Sequence, residues 1–130
     1  MIAVDSSALI AVLLQEPGWK ALLACMEESG GFLISGVNYV ETAVVYDSKR
    51  GRDNRDKYDQ LLTYLDADIT EINPAQANTA RDAYRRYGKG RHPAGLNICD
   101  CFAYALAKEY DAPLLFKGDD FAKTDIVSAL

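Results

Sequence analysis

Short apolar runs alternate with helical patterns along this chain, and this alternation constrains its fold more than any other feature. The predicted strands read as continuous apolar runs at residues 1–4, 32–34, 69–72 and 114–116, with residues 125–127 as a candidate fifth strand. Such runs, each followed by a helix, predict a parallel sheet that is covered by helices on both faces. We therefore expect an α/β fold with three layers, α/β/α, around a central, mainly parallel sheet of four to five strands.

The helices are predicted from apolar spacing and from residues that begin or end helices. Ser35 and Asn97 are expected to cap two of them, and Asn73-Pro74 combines a cap with a first-turn proline. Pro17 suits the first position of another helix, which Gly30-Gly31 ends. The predicted helices cover residues 7–14, 17–29, 36–50, 54–66 and 74–87, and the last follows Asn97.

Length and composition bound the class of protein. The chain has 130 residues, 25% of them charged, which predicts one globular domain spanning residues 1–130. No stretch approaches the roughly 20 apolar residues that cross a bilayer, and no basic region precedes the first apolar run, so we expect a cytoplasmic protein without membrane contact. Cys25, Cys99 and Cys101 are poorly spaced for a disulfide framework or a zinc site, and we interpret them as small buried hydrophobic residues.

Carboxylates stand at four places where an ordinary core would not put them. In parallel sheets, ligands bind beyond the carboxyl ends of the strands, and the chain places these carboxylates after strands or near the starts of helices. Burying like charges together costs free energy unless a cation or a proton neutralises them, and oxygen ligands suit Mg²⁺ or Mn²⁺. The sequence therefore predicts one acidic metal site. Its candidate members are Asp5, Glu41, Asp100, Asp119 and Asp120.

Structural explanations stay open for most of these carboxylates when each is taken alone. Asp5 is also suited to cap the helix that follows it. Asp100 falls at the third helical position, where a carboxylate interacts favourably with the helix dipole. The pair Asp119-Asp120 is also typical of a turn after a strand. It is the convergence of all four places on one edge of the sheet that favours a shared metal site.

Several segments of the chain resemble the PIN domain, and specifically the VapC toxins of bacterial type II toxin–antitoxin systems. The resemblance covers essentially the whole chain, in order and at ordinary spacing. The segments around Asp100 and from Gly118 to Phe121 are the most specific. The matching segments are Met1–Leu9, His92–Asn97, Asp100–Ala107, Phe116–Phe121 and Thr124–Ile126.

This resemblance implies a PIN-like fold and a metal-dependent endoribonuclease that uses Mg²⁺ or Mn²⁺. Asp5 and Asp100 would be direct metal ligands, and Glu41 would complete the catalytic site together with one Asp of the 119–120 pair. The family pattern keeps the Asp directly before Phe, which favours Asp120 as the catalytic residue. The resemblance also implies a homodimer that is inhibited by a VapB-like antitoxin, whose tail would occupy the acidic groove.

A basic stretch has two interpretations. A run of charges is usually a solvated helix face. Beside an acidic site, it would instead contact phosphates and steer RNA, even though the net charge of the chain is −5. The candidate RNA-binding residues are Arg81, Arg85, Lys89, Arg91 and His92.

Two further classes of protein remain as alternatives. A phospho-receiver signalling domain has a similar length and α/β order, and Lys117 after a strand would match its lysine. Against that interpretation, no acidic pair follows the first strand, and the strand at residues 69–72 ends in Asn73-Pro74 rather than in an aspartate that could be phosphorylated. The other alternative is a PIN domain that binds RNA or protein without cutting.

Overall fold

A computed structural model describes the backbone of residues 1–130 and the side chains of all of them except Asn54. The strands are β1 (Ile2–Val4), β2 (Phe32–Ser35), β3 (Ala67–Thr70) and β4 (Leu114–Leu115). The helices are α1 (Ser6–Leu14), α2 (Trp19–Ser29), α3 (Gly36–Arg50), α4 (Arg55–Tyr64), α5 (Pro74–Tyr87) and α6 (Ile98–Glu109). Short 3₁₀ turns cover Arg52–Asn54 and Phe121–Lys123.

The four strands form one parallel sheet in the order β3-β2-β1-β4. β1 lies inside the sheet, since Ala3 pairs with Leu33 on one side and with Leu114 on the other. All four strands point the same way, so the loops that leave them meet at one edge. Because β1 lies between β2 and β4, Asp5, which directly follows β1, lies between the ends of its two neighbouring strands.

Helices cover both faces of the sheet. Ala3, Leu33 and Leu114 pack towards α5 and α6, while their neighbours Val4 and Leu115 pack towards the first four helices. This alternation follows from the period of two residues along a strand. The result is the three-layer α/β/α arrangement with a parallel sheet that the sequence predicted.

Three predicted caps are confirmed by side-chain hydrogen bonds to the first turns of their helices. Ser35 Oγ accepts from the Val37 amide at 3.3 Å, and Asn73 Oδ1 accepts from the Gln76 amide at 2.8 Å. Asn97 begins α6. Local capping chemistry therefore fixes where α3, α5 and α6 begin.

Several predicted boundaries are wrong; α4, for example, was expected over residues 54–66 and covers Arg55–Tyr64. α2 begins at Trp19 rather than at Pro17, because Gly18 has φ +87°, a left-handed conformation that cannot continue a helix. The third strand lies at Ala67–Thr70 rather than at residues 69–72. Asp66 turns the chain with φ 55° directly after α4, so that Ala67 already pairs with Phe32 of β2.

The candidate fifth strand is absent from the described structure. β4 ends at Leu115, and the later chain touches it only through an isolated bridge between Leu114 and Ser128. Hydrogen bonds from the Leu114 amide to Val127 O at 2.9 Å and from the Ala129 amide to Leu114 O at 3.0 Å form this bridge. Residues 125–127 do not form a regular strand, and the Asp125 side chain bonds Tyr104 and Lys108 on α6. The sheet therefore has four strands.

Among the described residues, no single helix is long and apolar enough to cross a membrane; α1 and α2 reach the required length only as a pair that is bent by 119°.

Candidate active site

The carboxyl edge of the sheet brings the predicted acidic residues towards one another. Asp5 leaves β1, α3 with Glu41 begins directly after β2, and the loop with Asp120 leaves β4. The fourth carboxylate, Asp100, lies in the first turn of α6. Three strand ends and one helix start therefore supply the candidate ligands.

Asp5 is both a helix cap and a site residue. Its side chain is buried, with 3% of its surface exposed. Oδ2 accepts a hydrogen bond from the Ser7 amide at 3.0 Å and so caps α1. Its other oxygen, Oδ1, is buried without a hydrogen-bond partner. Buried polar atoms are rarely left unpaired, so this oxygen needs a ligand or a proton.

Glu41 is held by a polar pair that the sequence analysis did not identify. Ser6 Oγ donates a hydrogen bond to Glu41 Oε1. Asn38 Nδ2 in turn donates to Ser6 Oγ at 3.1 Å and to the Cys99 carbonyl at 3.1 Å. Asn38 is the polar residue one turn before Glu41 in an otherwise apolar stripe, and this is the sequence signal that could have revealed it.

Asp100 forms a reciprocal capping box with Asn97. The Asp100 amide donates to Asn97 Oδ1 at 2.8 Å, and the Asn97 amide donates to Asp100 Oδ2 at 3.0 Å. The capping explanation is thus true for Asp100, as it is for Asp5. Neither cap uses both carboxylate oxygens, which leaves each side chain able to bind a cation as well.

The candidate carboxylates influence one another electrostatically. Burial, together with the charges of Asp100 and Glu41, raises the pKa of Asp5 to about 7. Burial, together with the charges of Glu41 and Asp120, raises the pKa of Asp100 to about 6. Each of these acids therefore lies within electrostatic range of others in the group, and a cation at the site would relieve the repulsion.

The two aspartates after β4 differ in their relation to the site. Asp120 acts electrostatically on Asp100, whereas Asp119 is not among the residues that raise the pKa of Asp100. Their loop is held near Asp5 by the Lys117 amide, which donates to Ser7 Oγ at 3.0 Å, and by the buried ring of Phe121. This arrangement favours Asp120 as the fourth carboxylate.

The donor set fits a hard divalent cation. Among the described side chains, no three His, Cys, Asp or Glu residues come close enough to form a complete metal-binding group. Mg²⁺ does not need one, because it usually keeps several waters and binds one or two carboxylates plus substrate phosphates. The unpaired oxygen of Asp5 and its charged neighbours supply that kind of site.

The thiols beside Asp100 are poor metal ligands. Burial and the charge of Glu41 raise the pKa of Cys99 to about 11. Burial and the charge of Asp100 raise the pKa of Cys101 to about 11 as well. Thiols bind metals as thiolates, and burial beside carboxylates disfavours the thiolate form of both cysteines.

The candidate RNA-binding residues lie on α5 and on the loop after it. Arg81 and Arg85 are exposed and line an apolar groove between α5 and α6, whose floor includes Phe102. Lys89 and Arg91 are exposed on the loop.

His92 has a structural position in the same loop. Its Nδ1 accepts from the Ala94 amide at 3.0 Å, and its ring meets the Tyr87 ring edge-on at 5.1 Å. The neighbouring Arg86 bonds Tyr87 Oη at 2.8 Å and stacks on that ring. Only part of the basic stretch therefore projects freely towards solvent.

Comparison with known proteins agrees with this architecture. The sequence matches the PIN domain profile over residues 2–127. It is 44% identical over 127 residues to the VapC ribonuclease Mb0640 of Mycobacterium bovis, which covers 98% of this chain and 97% of that protein. It is 42% identical over 127 residues to a ribonuclease VapC of Mycolicibacterium smegmatis, covering 98% of each.

Ribonuclease VapC42 of Mycobacterium tuberculosis is 39% identical over 124 residues, covering 95% of each chain. The profile match and these relatives extend over nearly the whole sequence. The chain therefore belongs to the PIN-domain family, in the group that its VapC relatives represent.

Proposed function

We propose that the protein is a metal-dependent endoribonuclease and the toxin component of a type II, VapBC-like toxin–antitoxin system. The single observation that carries the proposal is the buried, unpaired oxygen of Asp5 among further carboxylates, because a divalent cation would bind that oxygen and neutralise the group. The names of the VapC relatives, which are ribonucleases, support RNA as the substrate.

Each site residue has a defined part in this proposal. Asp5 and Asp100 would hold Mg²⁺ or Mn²⁺, and Glu41 and Asp120 would complete the acidic site. When bound, such an ion lowers the pKa of a coordinated water and stabilises negative charge on the phosphate. Ser6 keeps Glu41 in place through its hydrogen bond. In the reaction, water oxygen bonds to phosphorus and the bond to the 3′ oxygen breaks, which leaves a 5′-phosphate and a 3′-hydroxyl.

The basic residues supply a surface for the rest of the RNA. We place the phosphate contacts on Arg81, Arg85, Lys89 and Arg91, which are exposed around one end of α5. His92 would shape the loop rather than contact RNA, because its ring is packed on Tyr87. Phosphate contacts of this kind make binding weaker as the salt concentration rises.

Two features of the structure support the binding of other protein chains. Val40 and Val44, at 56% and 62% exposure, extend an apolar face of α3 beside Glu41, together with Ile72. Exposed apolar patches mark protein interfaces, and we assign this one to a second copy of the chain. The acidic site itself would accept a basic residue from a VapB-like antitoxin, because such a residue would neutralise the same carboxylates.

The test is cleavage of total cellular RNA by purified, antitoxin-free protein in Mg²⁺, in Mn²⁺ and in EDTA. We expect discrete fragments with 5′-phosphates that require the metal. Asp100→Asn should reduce the cleavage rate at least about 100-fold, because it removes a ligand charge while its side-chain oxygen can still accept the Asn97 hydrogen bond. Mapping of fragment ends gives the target sequence.

Asp111→Asn is the matched control, since it makes the same chemical change at an exposed position just after α6. It should cleave like the original protein. Cleavage that survives EDTA or Asp100→Asn would contradict the metal site. A folded protein that binds Mn²⁺ but cuts no RNA would support the non-cleaving PIN module instead.

A further inference from the structure

Asn38 occupies an unusual place between three elements of the site. Its side chain is fully buried, with 0% exposure, on α3. Its amide nitrogen donates to Ser6 Oγ on α1 and to the Cys99 carbonyl on α6, each at 3.1 Å. These are the helices that follow Asp5 and carry Asp100, while Asn38 itself lies one turn before Glu41. One side chain thus connects the three helices at the level of their carboxylates.

The orientation of this amide is fixed by the chemistry of its partners. The Cys99 carbonyl can only accept hydrogen bonds, so the nitrogen of Asn38 must face it, and the alternative orientation of the amide is excluded. The same nitrogen then donates to Ser6 Oγ. Because Ser6 Oγ accepts that bond through a lone pair, its single proton goes to Glu41 Oε1, which is nearer than the other acceptor in reach, the Asn38 backbone carbonyl at 3.5 Å. The chain of bonds has one direction, from Asn38 through Ser6 to Glu41.

We infer that Asn38 is a positioning residue for the metal site. It fixes the Glu41 carboxylate through Ser6, and it holds the first turn of α6, with Asp100, against α1 through the Cys99 carbonyl. Four carboxylates repel one another without a cation, so a neutral side chain that only donates at these two contacts opposes their separation. This inference rests on the proposed metal-dependent function.

A purely structural role is the competing explanation, and the same helix offers a control for it. Thr42 is also 0% exposed on α3, one turn after Asn38. Its Oγ1 donates to the Asn38 carbonyl at 2.8 Å, a bond within the helix rather than to Ser6, Glu41 or α6. Thr42→Val removes this buried hydrogen bond and a contact with Tyr58 on α4, and it leaves the link between α1, α3 and α6 intact.

The experiment compares Asn38→Leu with Thr42→Val and the original protein. Leu has the same branching at Cγ as Asn, is larger, and has no hydrogen-bond donor. Mn²⁺ binding is measured without RNA by electron paramagnetic resonance, and cleavage is titrated with Mg²⁺. Loss of an outer contact to a metal ligand typically weakens metal binding by about 10–100-fold, and we expect a loss of that size in Asn38→Leu. Higher Mg²⁺ should restore most of its cleavage, while Thr42→Val should bind Mn²⁺ normally.

Ser6→Ala provides the second variant if Asn38→Leu does not fold, because it breaks the same chain of bonds nearer Glu41. It should also weaken Mn²⁺ binding. Unchanged Mn²⁺ affinity in the folded variants, beside normal binding by the original protein, would overturn the role of Asn38 alone. Failure of the original protein to bind Mn²⁺ would overturn the proposed metal site itself.

Discussion

At the scale of single residues, the first turn of α1 shows how closely binding and folding are combined. Asp5, Ser6 and Ser7 are consecutive, yet their side chains serve three different elements. Asp5 caps its own helix, Ser6 bonds Glu41 on α3, and Ser7 accepts from the Lys117 amide after β4. A substitution in this turn therefore changes the site even where it preserves the helix.

Asp5→Asn should separate stability from activity. The change removes a buried charge that repels Asp100 and Glu41, while an amide oxygen still accepts the Ser7 hydrogen bond. In EDTA we expect a Tm at least about 3 °C above that of the original protein. Added Mg²⁺ should raise the Tm of the original protein only, since ligand binding stabilises the folded state. Thermal unfolding in EDTA and in Mg²⁺ measures the Tm of both proteins. A Tm of Asp5→Asn below that of the original protein in EDTA would refute this account.

Asp119 and Asp120 form a natural pair for comparison. Of these two residues, only Asp120 contributes to the repulsion at Asp100, although both side chains are exposed. Asp120→Asn should lower the RNA cleavage rate at least about tenfold, by weakening stabilisation of charge at the site. The RNA cleavage rate of Asp119→Asn should stay within about twofold of the rate of the original protein. The two rates are measured side by side in saturating Mg²⁺, and a reversed order would move the fourth carboxylate to Asp119.

At the scale of elements, the segment that carries Asp120 is held at its far end by Asp125. Tyr104 Oη donates to Asp125 Oδ1 at 2.7 Å, and Lys108 Nζ donates to Oδ2 at 2.9 Å. Thr124, next to it, donates from Oγ1 to the Phe121 carbonyl at 2.7 Å. The segment after β4 is therefore fastened to α6 rather than added to the sheet.

The Asp125 contacts should depend on pH. Partial burial alone would raise the pKa of Asp125. The hydrogen bonds from Lys108 and Tyr104 outweigh it and lower that pKa below its usual value. Their stabilisation is therefore present above the pKa of the unfolded carboxyl, about 3.9, and is lost as pH falls through the lower folded value. Asp125→Asn should reduce Tm by a few degrees at pH 7, and the difference should shrink below pH 4. An equal difference at pH 7 and pH 3 would show that charge is not involved.

The elements also show how far the sequence can be interpreted. Helix starts with local caps, such as Ser35 and Asn73, were predicted because their signals lie within a few residues. The position of β3 was missed because pairing with Phe32 and the turn at Asp66 decide it. Within the site, the clustered carboxylates could be expected from strand ends. Asn38 is visible in the sequence as a polar residue near Glu41, but its partners could not be predicted, since they lie on helices distant in sequence.

At the scale of the whole molecule, the protein leaves apolar surface uncovered on α3. We expect the isolated protein to be a dimer through this face, and Val44→Lys to shift it towards the monomer because a charge would be buried in the interface. Val127→Lys is the control, since Val127 is exposed to 69% against 62% for Val44 but lies outside this face. Light scattering coupled to gel filtration gives the masses. A monomeric original protein, or a Val44→Lys dimer, would contradict the assignment.

The β4 position beside β1 has a consequence for biosynthesis. The candidate site contains both Asp5 and Asp120, which leave the ribosome at well-separated times, and the Ser7–Lys117 hydrogen bond forms only after β4 has emerged. Folding during translation proceeds from the N-terminus. A nascent chain therefore carries separated carboxylates while the residues between Asp5 and Asp120 are being made, and the candidate site can assemble only after Asp120 has emerged.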